Sequence, residues 1–250
     1  MDFTRHCTEI VGQTAQLVRE VSGTDLRAPV PGCPGWTLGM LLRHIGAGHR
    51  WAEEIVRTRA QDFLDDTDLR VLEGDDSGPV PDLVPGAEAL AATLRAAGPD
   101  AEVWVPFHYR HTAFYARRFA FETLVHRVDA TQAAGLPVTA APEVVAAALD
   151  EWMELDALPA HFALEPAKRE VLGVGRTLAL EATDTGDAWS VDLTGEEIRW
   201  RRGTGPAAVT VRGPLTELLL LVYRRRSADG PAVSGDRALL QLWSSHVAFA

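Results

Sequence analysis

The chain has 250 residues, 46% hydrophobic and 24% charged, a balance typical of folded globular proteins and unlike that of disordered or fibrous chains. Its net charge of −11, with no basic run longer than Arg224–Arg226, argues against nucleic-acid and anionic-membrane partners. No stretch approaches the ~20 apolar residues that span a bilayer, the N-terminus carries Asp2, His6 and Glu9 where an export signal needs an apolar core, and Cys7 and Cys33 permit one disulfide at most, so a cytoplasmic location is expected.

Apolar residues at helical spacing (Ile10, Val11, Thr14, Leu17, Val18, Val21) predict a first helix over 4–22, stopped at Gly23. The stretch APVPGCPGWT, residues 28–37, holds three prolines and two glycines and reads as a loop of fixed shape. Thr37 suits the N-cap of a second helix, whose stripe is Leu38, Leu41, Leu42, Ile45, Ala52, Ile55 and Val56. A polar, acidic loop from 62 to 85 leads to a third helix over 87–97, and a fourth runs from His111 or Thr112 to about Ala134. Four helices with tight or moderate connections predict an antiparallel bundle.

The pattern then changes. One more helix is expected over 143–158. After Pro166 the period shifts toward two in TLALEAT (177–183), WSVDL (189–193), IRW (198–200) and AVTV (208–211), separated by turn residues. Helices over 215–225 and 237–247 complete the reading. The expected fold class is α+β: a helical bundle over 1–138 followed by a small α/β domain over 139–250.

The fourth helix carries the chemistry. At 100° per residue, His111, Tyr115, Arg118, Glu122, His126 and Asp129 fall within about 80° of one another. Phe114, Phe121, Leu124 and Val128 flank this stripe on one side and Phe119 on the other, while Ala116, Thr123 and Arg127 are the expected solvent face. Glu122 and His126 are a pair of metal donors one turn apart, of the kind that bundle cores use, and Asp129 can orient the His126 ring. The competing reading is a row of i,i+4 surface pairs. A third ligand must come from elsewhere. The second helix offers His44, beside Gly48 and Trp51, and His49, with Glu53 one turn on; periodicity does not choose between them. Arg118 either neutralises Glu122 or holds a carboxylate of substrate or cofactor. His108 and His111 precede the helix and are candidates for the pocket mouth. Cys33 sits just before a helix start, where thiol reactivity is possible, but a structural role in the tight loop is the preferred reading.

Two segments carry a resemblance. VPGCPGWTLGMLLRHIGAGHRWA (30–52) is similar to the first motif of the mycothiol-dependent maleylpyruvate isomerase family, a C-P-G-W-[ST] loop followed by a helix with L-x-x-H. ARRFAFETLVHRVDA (116–130) resembles its second motif, R-R-x-x-x-E-x-x-x-H-x-x-D-A. From Pro142 onward the chain resembles the family's C-terminal domain, best in AVTVRGPLTELLLLVYRRR. The resemblance implies a DinB-like four-helix bundle with a sterol-carrier-like appendage, and a divalent metal, zinc, held by His44, Glu122 and His126. It further implies a metal-activated low-molecular-weight thiol, mycothiol, that adds to a small electrophilic substrate so that a cis double bond can rotate before elimination. Arg225 aligns with a substrate-contacting arginine of the family. The chain departs from the family at Met40, where Asp is common, and at Tyr223-Arg224-Arg225, where W-G-R is common. The expected function is thus a zinc-dependent, mycothiol-using isomerase or S-transferase, a monomer or homodimer. A non-catalytic binding module for a metabolite or thiol conjugate, and a metal-dependent hydrolase with water in the open position, are the alternatives on the same scaffold.

Overall fold

The computed structural model describes residues 1–65, 79–106, 110–226 and 232–246. The chain divides into two compact units, Met1–Thr139 and Ala140–Ala250.

In the first unit, α1 (Phe3–Glu20) begins where the Asp2 carboxylate accepts a hydrogen bond from the Arg5 backbone N–H at 2.7 Å, satisfying one of the donors a helix start leaves free. It buries Cys7, Ile10, Thr14 and Leu17, one residue per turn. Helix α2 (Leu38–Thr58) is capped by Thr37, as its sequence predicts, with the hydroxyl accepting from the Met40 N–H. Helix α3 (Leu83–Ala97) starts four residues earlier than expected because Asp82 caps it; Pro85 falls in its first turn, where the missing N–H costs nothing. Helix α4 runs from Thr112 to Ala133. Helices α1 and α2 each pack against both α3 and α4, so they stand at opposite corners of the bundle and the 21–37 segment spans the diagonal. Helices α2 and α4 are antiparallel: His44 faces Glu122, and seven residues further along α2 Trp51 faces Tyr115, seven residues back along α4. At Gly46 a Cβ would meet Pro81 Cγ at 2.7 Å, so α2 must be bare where the segment entering α3 crosses it.

One expectation fails here. Ala116, Thr123 and Arg127, read from the sequence as the solvent face of α4, are all buried. Arg127 lies inside the bundle, its guanidinium bonded to Gln13, to both Glu20 oxygens and to the Thr139 carbonyl. Arg127 is met by α1 and Thr123 by His49 of α2, so polarity on this part of α4 marks internal pairing rather than water.

The second unit opens with α5 (Pro142–Asp156), α6 (Pro159–Leu164) and a 3₁₀ turn, Pro166–Val171. Five strands follow: β1 (Thr177–Ala182), β2 (Ala188–Asp192), β3 (Arg199–Arg202), β4 (Val209–Gly213) and β5 (Ala232–Gly235). Their order is β3-β2-β1-β4-β5, with β1 and β4 parallel and the other pairs antiparallel. The register aligns Leu178 with Val191 and Val209, and Leu180 with Trp189 and Val211, giving one apolar face. Helix α7 (Leu215–Val222) packs on β1 and β4, with α5 against it. It ends three residues before the sequence suggested, because Arg224 takes a left-handed conformation (φ 61°) and the Arg225 N–H turns back to the Leu220 carbonyl, closing the helix. Helix α8 (Arg237–Ser245) is capped by Asp236. Beneath these elements Lys168, the only lysine in the sequence, is buried in an ion pair with Asp156, whose other oxygen accepts from Trp243 Nε1 at 3.1 Å.

Candidate metal centre

Three elements build the site: the 28–37 loop, α2 and α4. The loop is locked by backbone bonds from Val30 N to Trp36 O, Cys33 N to Val30 O and Trp36 N to Cys33 O, each 3.0–3.1 Å. Gly35 supplies the positive φ (85°) that closes it. This fixed loop places the Trp36 ring against two histidines, edge-on to His44 at 5.2 Å between centroids and stacked on His126 at 6.5 Å.

The antiparallel register of α2 and α4 brings His44, Glu122 and His126 together, with one donor atom from each inside a 4.8 Å cluster. Glu122 Oε1 lies 2.9 Å from His126 Nε2 and 3.8 Å from His44 Nε2. Its other oxygen is held by Arg118 at 2.6 Å. On the far side of the His126 ring, Nδ1 is 3.1 Å from Asp129 Oδ2, and Asp129 is fully buried. Burial alone would raise the pKa of Glu122. The charges of Arg118 and His126, with hydrogen bonds from His126 and His44, outweigh it and hold the carboxyl well below its ordinary range. Burial would likewise lower His126; the Glu122 charge and the bonds to Asp129, Cys33 and Glu122 overcome it and hold the imidazole well above its ordinary value. The centre therefore favours positive charge between Nε2 and Oε1, where a proton or a metal cation can sit. Two imidazole nitrogens and a carboxylate oxygen at this separation fit a zinc ion with a coordination position left over.

The other candidates fall elsewhere. His49 is 1% exposed and points away from the cluster, its Nε2 bonded to Thr123 Oγ1 at 3.0 Å. Since the Thr123 hydroxyl donates to the Phe119 carbonyl, Nε2 carries the proton. Burial first, then the Arg50 charge, lower the His49 pKa to about 4, so the ring is neutral near pH 7. His111 is the N-cap residue of α4, its Nδ1 3.2 Å from the Asp100 carbonyl. His108 lies outside the described residues. Arg225 donates to the Tyr223 carbonyl at 2.8 Å. Cys33 joins the site: its Sγ is 3.5 Å from the same Asp129 oxygen that faces His126. Its neighbours in sequence signal only a rigid loop; the contact depends on the loop reaching the last turns of α4.

This geometry meets the comparisons with known proteins. Residues 7–131 match the model of the mycothiol maleylpyruvate isomerase N-terminal domain, and residues 124–242 match that of the family's C-terminal domain. The chain belongs to the mycothiol-dependent maleylpyruvate isomerase family. Solved structures with the same fold include the mycothiol-dependent maleylpyruvate isomerase (TM-score 0.60, 17% identity) and a histidine-to-alanine mutant described under that name (TM-score 0.61, 15% identity). Each alignment covers 94% of this chain and 93% of the other. No curated protein matches by sequence. Family membership accounts for the helical unit followed by the five-stranded mixed sheet. Among the described residues, no helix is long and apolar enough to cross a membrane.

Proposed function

We propose that this family member is a metal-dependent enzyme that uses a low-molecular-weight thiol, mycothiol, to act as an isomerase or S-transferase on a small electrophilic substrate. The observation that carries the reading is the convergence of His44 Nε2, Glu122 Oε1 and His126 Nε2 from two facing helices. Zinc bound by these three donors would act as a Lewis acid whose open position favours thiolate over thiol at neutral pH.

The protein's own groups prepare that position. Arg118 occupies Glu122 Oε2 and leaves Oε1 for the histidines. Asp129 accepts the Nδ1 proton of His126, which commits Nε2 to the metal side. Trp36 packs on both imidazoles and restricts their rotation. Arg225 is proposed as a substrate-contacting residue on the family resemblance.

Purified protein should carry close to one equivalent of zinc. His44→Ala and His126→Ala should each lose it while keeping the helical circular dichroism, and His49→Ala should retain it. Turnover of a conjugated cis-alkenoic acid such as maleylpyruvate should require mycothiol, and Arg225→Gln should raise KM without altering metal content. Metal lost with His49→Ala but kept with His44→Ala would overturn the ligand assignment. Undiminished turnover without any thiol would overturn the thiol chemistry.

A further inference from the structure

His126 presents a donor atom on each side of its ring, and both sides are furnished with ligands. Beyond Nε2 stand Glu122 and His44. Beyond Nδ1 stand Asp129 Oδ2 at 3.1 Å and, 3.5 Å from that same oxygen, Cys33 Sγ. Cys33, His126 and Asp129 offer one donor each within 4.8 Å of one another, as the first set does. Thiolate, imidazole and carboxylate at these separations suit a small divalent ion, and the sulfur biases the choice toward thiophilic metals. The seat is also fixed: Asp129 is fully buried, Cys33 is held in the hydrogen-bonded loop, and the Trp36 ring stacks on His126. Cys33 is half-buried, which leaves an approach from solvent.

We propose that Cys33, Asp129 and Nδ1 of His126 form a second cation seat, selective for divalent ions more thiophilic than zinc and mutually exclusive with the His44–Glu122–His126 seat. The exclusion follows from the ring itself. A neutral imidazole has one lone-pair nitrogen. With the first seat filled, the ring proton is on Nδ1 and is donated to Asp129. With the second filled, the ring proton is on Nε2 and is donated to Glu122, while the Cys33 thiol proton passes to solvent. One histidine thus serves one ion at a time, and a thiophilic ion in the second seat withdraws His126 from the first. The proposal shares His126 with the proposed catalytic centre but does not depend on that centre being catalytic.

Cadmium tests it. Added to the metal-free full-length protein, Cd²⁺ should produce a thiolate-to-cadmium charge-transfer absorption in the ultraviolet. The band should persist in His44→Ala and in Cys7→Ser, because Cys7 is fully buried in α1, and should vanish in Cys33→Ser. Cd²⁺ added to zinc-loaded protein should release zinc one for one as the band grows. Cd²⁺ should also slow alkylation of Cys33 by iodoacetamide in the unaltered protein, read by peptide mass spectrometry, which tests the seat without any substitution. No band and no protection of Cys33 in the unaltered protein would overturn the second seat. A band that grows with zinc fully retained would overturn the exclusion. Loss of zinc binding in His44→Ala with the cadmium band intact would separate the two seats.

Discussion

Glu122 meets different demands on its two carboxylate oxygens. Oε1 faces two imidazoles, and Oε2 is taken by Arg118 at 2.6 Å. The sequence left Arg118 with two readings, neutralising Glu122 or binding a foreign carboxylate, and the ion pair is the contact that the first reading describes. Groups that orient a metal ligand are typically worth about 10–100-fold in metal affinity. Arg118→Ala is therefore expected to weaken zinc binding by about that factor in a competition titration with a chelator, with helical content unchanged. Unaltered zinc affinity combined with a raised KM would assign Arg118 to substrate instead. His49 gives a pH prediction. Its folded-state pKa is lowered from 6.5 to about 4, chiefly by burial. Between those values the unfolded chain binds a proton here that the folded chain does not. The associated stability is thus complete above pH 6.5 and lost as the pH falls toward 4, up to roughly 3 kcal/mol. Urea unfolding should show the unaltered protein weakening more steeply over this window than His49→Gln, which keeps a donor for Thr123. Parallel curves would mean that burial does not suppress protonation of His49.

At the scale of elements, α4 shows how far the sequence could be read and where it could not. Its limits, and the polar stripe from Arg118 to Asp129, follow from helical spacing alone. The fate of Arg127 does not, because an arginine between apolar flanks reads as solvent-facing unless its partners are known. Those partners, Gln13 and Glu20, stand more than a hundred positions away on α1. Removing one member of such an internal pair leaves the other without compensation, at a cost of about 3 kcal/mol or more. Arg127→Leu is expected to lose about that much stability in denaturant unfolding, and a loss below about 1 kcal/mol would show that water reaches Glu20 readily. The choice between His44 and His49 was closed to periodicity for a related reason. Both border the apolar stripe of α2, and only the antiparallel register with α4 separates the ring that meets Glu122 from the ring that meets Thr123. The resemblance to the family motif implies His44, the ring that the register sets beside Glu122. Cys33 was legible as part of a stiff loop, but its proximity to Asp129 needs the loop and the helix in place together.

Across the whole molecule, the same contrast separates the two units. The four long helices of the first were evident, since each repeats its signal over several turns. In the second, β5 and the short 159–171 segment escaped notice because four to six residues do not establish a period. The 159–171 segment contains Lys168, buried in its pair with Asp156. Every other cationic side chain that the sequence could place at the surface is an arginine or a histidine. Amine-directed chemistry consequently sees an unusually sparse target. The fold keeps the one ε-amine of this sequence out of reach of acylating reagents. An N-hydroxysuccinimide ester should leave Lys168 unlabelled in the native protein, read by peptide mass spectrometry, and acylate it only as the protein unfolds. Acylation of Lys168 then becomes a readout of unfolding in the second unit, and an amine-directed surface would capture this lysine in unfolded molecules and not in native ones.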